Sequence, residues 1–178
     1  MTAAPRQRFN DSTIQRTNLT LASRQRTRPV DTRLLRRIVH ALLADLRQIE
    51  QVDLGICLVA ASDMARLNET FLHHAGATDV IAFDYSAHAT RHTPPASRLH
   101  GEIVICIDEA VSQARRFGTA WQSELVRYLI HGLLHLCGHD DSCPGSRRRM
   151  KREENHLLKI VSAQFPLRKL GGKTKLAL

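Results

Sequence analysis

The apolar and polar positions along the chain alternate between two periods. From Asn18, "NLTLASRQ" changes polarity at every second residue and predicts a strand. In "RPVDTRLLRRIVHALLADL", Leu34, Leu35, Ile38, Leu42 and Leu46 recur at helical spacing behind Asp31, whose short carboxylate suits an N-cap. "QVDLGICLVAAS" is apolar enough for a buried strand ending near Ala61, and "SDMARLNETFL" predicts a short helix opened by Ser62 or Asp63. "TDVIAFDYS" and "GEIVICID" read as two more strands, with a loop from Ala87 to His100 that holds Pro94 and Pro95 between them.

From Asp108 onward the period is helical. "DEAVSQARRFG" has Asp108 as a cap and Gly118 as a stop, "TAWQSELVRYLIHGLLHLCG" runs from a Thr119 cap to Gly138, and "PGSRRRMKREENHLLKIVSAQF" starts near Pro144. Strands early and helices late, with too few strand–helix alternations for a doubly wound sheet, predict an α+β domain with a small mixed sheet packed against helices. The domain is expected over residues 19–165, between flexible basic tails at 1–18 and 166–178. No repeat is visible.

Composition adds a partner class. The 26 Lys and Arg against 17 acids give a net charge of +9, a positive field that draws polyanions and puts nucleic acid first among partners. Aromatic residues are only 4%, so the core is built from aliphatic side chains. Cys57, Cys106, Cys137 and Cys143 show no CxxC pairing and read as reduced thiols, consistent with a cytoplasmic protein. No apolar run is long enough for a membrane span, so no membrane partner is expected.

The densest chemistry is "HGLLHLCGHDD", His131 to Asp141. Positions four apart on a helix differ by about 40° and one turn of rise, so His131 and His135 project side by side from a central helix and can share one ion. Leu125, Leu129, Leu133 and Leu136 form the adjoining stripe that would bury that helix. Gly138 lets the chain turn back toward the pair. Zinc accepts imidazole nitrogen and carboxylate oxygen alike, and a catalytic site needs three protein ligands. Asp141 has the reach for the third place, and His139 and Cys143 compete for it. A metalloprotease helix has Glu after its first histidine. Here that position is Gly132, which turns the reading away from proteolysis.

At these residues the chain resembles the YbeY family of endoribonucleases and rRNA maturation factors. "HGLLHLCGHDD" is similar to the family's H-G-x-L-H-L-x-G-[YF]-D-H, "LNETFLHHAGATDVIAFDY" to its L-N-x-x-[YF]-R followed by T-D-V-L-S-F, "GEIVICID" to its G-[DE]-I-x-I-[CS] strand, and "RRRMKREENHLL" to its M-x-x-x-E helix. The four segments come in the family's order across roughly residues 50 to 160. The resemblance implies one zinc on a helix, with His131 and His135 on the first two metal histidines and Asp141 where the family has its third. It implies action on single-stranded rRNA in small ribosomal subunit maturation and quality control, alongside that subunit's assembly factors. The family's arginine for RNA cleavage falls on Leu72, followed by His73 and His74.

The expected function is a metal-dependent endoribonuclease with His131, His135 and Asp141 at its centre and Asp140 or His139 managing protons. Arg147, Arg148, Arg149, Lys151 and Arg152 supply charge for a phosphate backbone, part of which serves only to solvate the helix. The alternative is a non-catalytic RNA- or ribosome-binding assembly factor with a degenerate metal site, favoured by Leu72 and Asp141.

Overall fold

The computed structural model describes residues 16–46, 49–86 and 98–172. Most of the expected N-terminal tail, Pro94 and Pro95 in the expected loop, and residues 173–178 lie outside it.

The order is β1 (Arg16–Ser23), α1 (Thr32–Asp45), β2 (Gln51–Val59), α2 (Ala61–Leu72), β3 (Val80–Asp84), β4 (Arg98–Cys106), α3 (Ile107–Phe117), α4 (Trp121–Leu136) and α5 (Pro144–Gln164), closed by a 3-10 turn at Leu167–Leu170. The strands form one sheet in the order β1-β2-β4-β3. β1, β2 and β4 are parallel, and β3 runs antiparallel to β4 at the edge. The protein is therefore an α+β domain with the small mixed sheet that the periodicity predicts.

One face of the sheet carries the main core. Leu54, Ile56, Leu58, Ile103 and Ile105 meet Leu35, Ile38 and Leu42 of α1 and Leu125, Leu129 and Leu133 of α4, all at most 2% exposed. Full burial of one such side chain stabilises by about 1.5–3 kcal/mol. α2 covers part of the opposite face, where Met64 packs on Cys57, Val59, Val104 and Cys106. All four cysteines are free, Cys57 and Cys106 buried, Cys137 and Cys143 exposed.

Helix starts differ from the expected ones for a tertiary reason. Asp31 caps α1 as its position predicts, its Oδ1 accepting from the Arg33 and Leu34 amides at 3.0 and 2.9 Å. α2, however, begins at Ala61 instead of at Ser62 or Asp63, because its first amide is capped from far along the chain. β4 runs straight into α3 at Ile107, which leaves Asp108 in the first turn and not at the cap. The Asp108 carboxylate accepts instead from the Ala61 amide at 2.6 Å and the Thr27 hydroxyl at 2.7 Å, tying three segments together. α4 starts after Ala120, and the expected cap Thr119 donates its hydroxyl to Glu124 Oε1 at 2.7 Å.

Two boundaries also shift. β4 begins at Arg98, inside the stretch expected as loop. The ordered chain continues beyond residue 165, since Leu167 and Leu170 are buried and the Leu170 carbonyl accepts from the Asp31 amide at 2.9 Å.

Candidate metal centre

α4 carries the histidine pair along the border between its buried stripe and solvent. Leu125, Leu129, Leu133 and Leu136 are at most 7% exposed, and they pin the helix to β3 and β4. Gly132 is needed for that approach, because a Cβ there would lie 2.7 Å from Ile103 Cγ2. The position where a metalloprotease holds its glutamate thus has room for no side chain at all.

The helix ends in a Schellman turn. The Gly138 amide donates to the His135 carbonyl and the His139 amide to the Leu134 carbonyl, both at 2.9 Å, while Gly138 takes φ 83°, the left-handed conformation that favours glycine. This reversal returns the following residues to the helix face they have just left.

His131 and His135 lie with ring centroids 4.6 Å apart. His131 Nδ1 meets Glu154 Oε1 at 2.7 Å, and His135 Nδ1 meets the His139 carbonyl at 3.1 Å. Both partners are acceptors, so each Nδ1 carries hydrogen and each Nε2 turns its lone pair inward. The two Nε2 atoms face each other at 3.0 Å, and Asp141 Oδ1 lies 3.9 Å from His135 Nε2. Facing lone pairs repel unless a proton or a cation lies between them. In a tetrahedral zinc site two nitrogens at the usual bond length stand about 3.3 Å apart, a few tenths of an ångström from what is found. One donor atom from each of His131, His135 and Asp141 falls within 4.8 Å of the others. The set fits a divalent cation.

Glu154 orients this group from α5. It is 5% exposed, and its other oxygen accepts from Lys151 Nζ at 2.9 Å. Burial pushes its carboxyl up, but the hydrogen bonds and charges of His131 and Lys151 prevail and hold it down to about 2. Burial of His131 opposes protonation, yet the hydrogen bond and charge of Glu154, with Asp79 and Asp141, raise that imidazole above its ordinary range.

The other expected residues are placed differently. His139 contributes its carbonyl, and its imidazole is outside the converging set. Asp140 folds back on Ser142, accepting from its amide and hydroxyl, which lowers the carboxyl pKa. Cys143 caps α5, its sulfur accepting from the Ser146 amide at 3.5 Å. Arg147 donates through Nε to the Asp141 carbonyl at 3.2 Å and so steadies the loop.

The pair stands between two clefts. One, of about 360 Å³, is lined by Asp79, Arg127, Arg147, Lys151 and Glu154 among others. The second, of about 270 Å³, brings Leu72, Ala82 and Asp84 to the histidines. Of the basic candidates, Arg147 and Lys151 therefore border the centre, while Arg148, Arg149 and Arg152 are exposed on α5 outside the cleft lining. Local spacing does not reveal Glu154 as the partner of His131, nor the places of Asp79 and Arg127 beside it. A signal for Glu154 existed: the buried positions of α5 are Met150, Glu154, Leu157 and Val161, so a carboxylate stands in the apolar stripe.

Fold and site together define an α+β domain whose central helix presents two imidazoles, and the loop after it a carboxylate, to a common point. A family profile described as Endoribonuclease YbeY matches residues 20–162. The chain belongs to the YbeY family. It is similar to Endoribonuclease YbeY of Myxococcus xanthus, 40% identical over 71% of this chain and 42% of that one. It is likewise similar to Endoribonuclease YbeY of Chlorobium luteolum, 40% identical over 53% of this chain and 64% of the relative. The chain thus spans 42% and 64% of the lengths of these two relatives. The solution structure of TM1509 from Thermotoga maritima superposes with a TM-score of 0.61 over 90% of this chain and all of that one, at 20% identity, a likeness of fold. Among the described residues no helix is long and apolar enough to cross a membrane.

Proposed function

We propose that this protein is a metal-dependent endoribonuclease that cuts single-stranded ribosomal RNA during maturation and quality control of the small ribosomal subunit in the cytoplasm. The observation that carries the reading is the inward pairing of the His131 and His135 Nε2 atoms, each fixed by an acceptor on Nδ1, with the Asp141 carboxylate beside them. Membership in the YbeY family supports the reaction class.

A zinc ion held by His131, His135 and Asp141 would polarise a phosphodiester oxygen and lower the pKa of a water or ribose hydroxyl. Glu154 holds His131 in the tautomer that leaves Nε2 free, and the His139 carbonyl does the same for His135. Arg127, Arg147 and Lys151 border the adjoining cleft and place positive charge where a phosphate backbone would pass. Arg148, Arg149 and Arg152 extend that charge along α5. Asp140, in the turn between His135 and Asp141, is the candidate for proton transfer at the centre. Assembly factors of the small subunit are the expected protein partners.

The test has two stages. Metal analysis of the purified protein is expected to find one equivalent of zinc that His131→Ala loses. His135→Ala is then expected to abolish cleavage of a single-stranded rRNA fragment while leaving its binding largely intact. A contaminant-free activity that survives His135→Ala would overturn the proposed site, and a native protein without metal would overturn the enzyme reading in favour of a non-catalytic RNA-binding assembly factor. Leu72, which lines the histidine cleft where the family's arginine would fall, is the observation on that side.

A further inference from the structure

The two central strands carry one burial pattern. β2 and β4 each alternate between half-buried and buried over their first five residues and then show four buried residues in a row. Residues facing α1 and α4 are buried throughout, so the break in alternation reports on the opposite face alone. Its far half lies under α2, against Met64. Its near half is accessible.

The strand register shows what that half presents. One row across the sheet is Asn18, Asp53 and His100, continued just past the end of β3 by Tyr85, whose amide donates to the His100 carbonyl at 2.8 Å. The next row is Thr20, Gly55, Glu102 and Phe83. Ring groups therefore stand beside hydrogen-bonding groups on this face of the sheet. Tyr85 packs edge-on against His100 at 5.5 Å and Phe71 of α2 against Phe83 at 5.2 Å. Phe71 is 56% exposed and Tyr85 42%, two of the most exposed large apolar side chains in a chain with very few aromatics. Gly55 keeps the centre low, since a Cβ there would already touch Glu102 Cγ at 3.3 Å.

The surroundings favour one occupant. Arg16 and Arg98 flank Gln51 at the near end of the sheet, and Arg24 and Arg66, the latter paired to Asp63, border a cleft of about 790 Å³ that Phe71, Phe83, Tyr85 and Glu102 also line. A protein-docking patch concentrates apolar groups and sheds charge at its centre. This surface instead puts Asp53 and Glu102 among its rings and arginines at its near end and along the cleft. Bases stack on exposed rings and offer amino groups to carboxylates, while their phosphates seek the arginines.

The surface is also continuous with the metal centre. Phe71 lines the sheet-face cleft and its neighbour Leu72 the histidine cleft, and along edge strand β3 the same division falls between Phe83 and Ala82. A strand leaving the histidines has only the edge of β3 to cross.

We infer that the accessible half of the sheet, centred on Tyr85, Phe71, His100 and Glu102, is a platform for the bases of single-stranded RNA flanking the scissile phosphate. The inference rests on the nuclease reading for its orientation, not for its existence. It is tested with the full-length protein and a fluorescent single-stranded 2′-O-methyl oligonucleotide of about ten residues, alongside an abasic strand of equal length, by anisotropy. The native protein is expected to prefer the base-bearing strand. Tyr85→Ala and Phe71→Ala should each weaken that strand's binding by about 5- to 150-fold and leave abasic binding unchanged, whereas Arg147→Ala should weaken both. Equal affinity of the native protein for the two strands would overturn the platform, as would parallel or absent losses in both ring variants. Unaltered urea midpoints would establish that these exposed positions leave the fold intact. Zinc content and cleavage are read separately. Loss of the nuclease reading with Tyr85-dependent base binding retained leaves the platform standing, and the converse removes only the platform.

Discussion

Replacing Glu154 by Gln removes one charge from the centre and changes its shape very little. Glu154 is 5% exposed and accepts from His131 Nδ1 at 2.7 Å and Lys151 Nζ at 2.9 Å, with Arg127 Nη1 at 3.7 Å. Its carboxyl is held at about 2 against an ordinary 4.5, and that difference corresponds to about 3 kcal/mol favouring the charged form in the folded state. Lys151 is 56% exposed, so solvent screens part of this, and about 1–2 kcal/mol is expected at neutral pH. A carboxyl depressed by folding stabilises above its unfolded value and loses that contribution as pH falls through its folded one. The native protein should therefore weaken steeply between pH 4.5 and about 2, and Glu154→Gln should flatten that slope. The Gln amide oxygen can still accept from His131 but orients it less strongly, so zinc affinity should fall by about 10- to 100-fold. His131 also loses the partner that raises its pKa, so proton competition with zinc should move to lower pH. Urea unfolding at several pH values and zinc competition titrations measure both effects. If Glu154→Gln matched the native protein in urea midpoint and zinc affinity at neutral pH, Glu154 would not be what holds His131.

Asp141→Ala leaves two protein ligands and should lower zinc affinity by at least about 100-fold in competition titrations, with little change in urea midpoint because Asp141 sits on an exposed loop. Gly132→Ala pushes a methyl group into Ile103 and should destabilise by about 1–3 kcal/mol in urea. Gly138→Ala strains a residue at φ 83° and should cost about 1 kcal/mol, with weaker zinc binding because the turn that returns Asp141 loosens. Asp108→Ala removes the acceptor shared by the Ala61 amide and Thr27 and should destabilise by about 1–2 kcal/mol with zinc affinity unaltered, which tests that the clamp is structural.

What the sequence determined by itself is what local spacing carries. Four-residue spacing put His131 and His135 on one face, Gly138 allowed the return to Asp141, and alternation marked out the strands, because each depends on backbone geometry within a few residues. Groups that meet across the fold were beyond it. Glu154 reaches His131 over 23 residues, and Asp108 caps α2 over 47. The rows that place Asp53, His100 and Tyr85 side by side exist only because β4 inserts between β2 and β3. Strand order and helix docking follow from how the whole apolar surface is buried, a property of the assembled chain that no window of sequence contains.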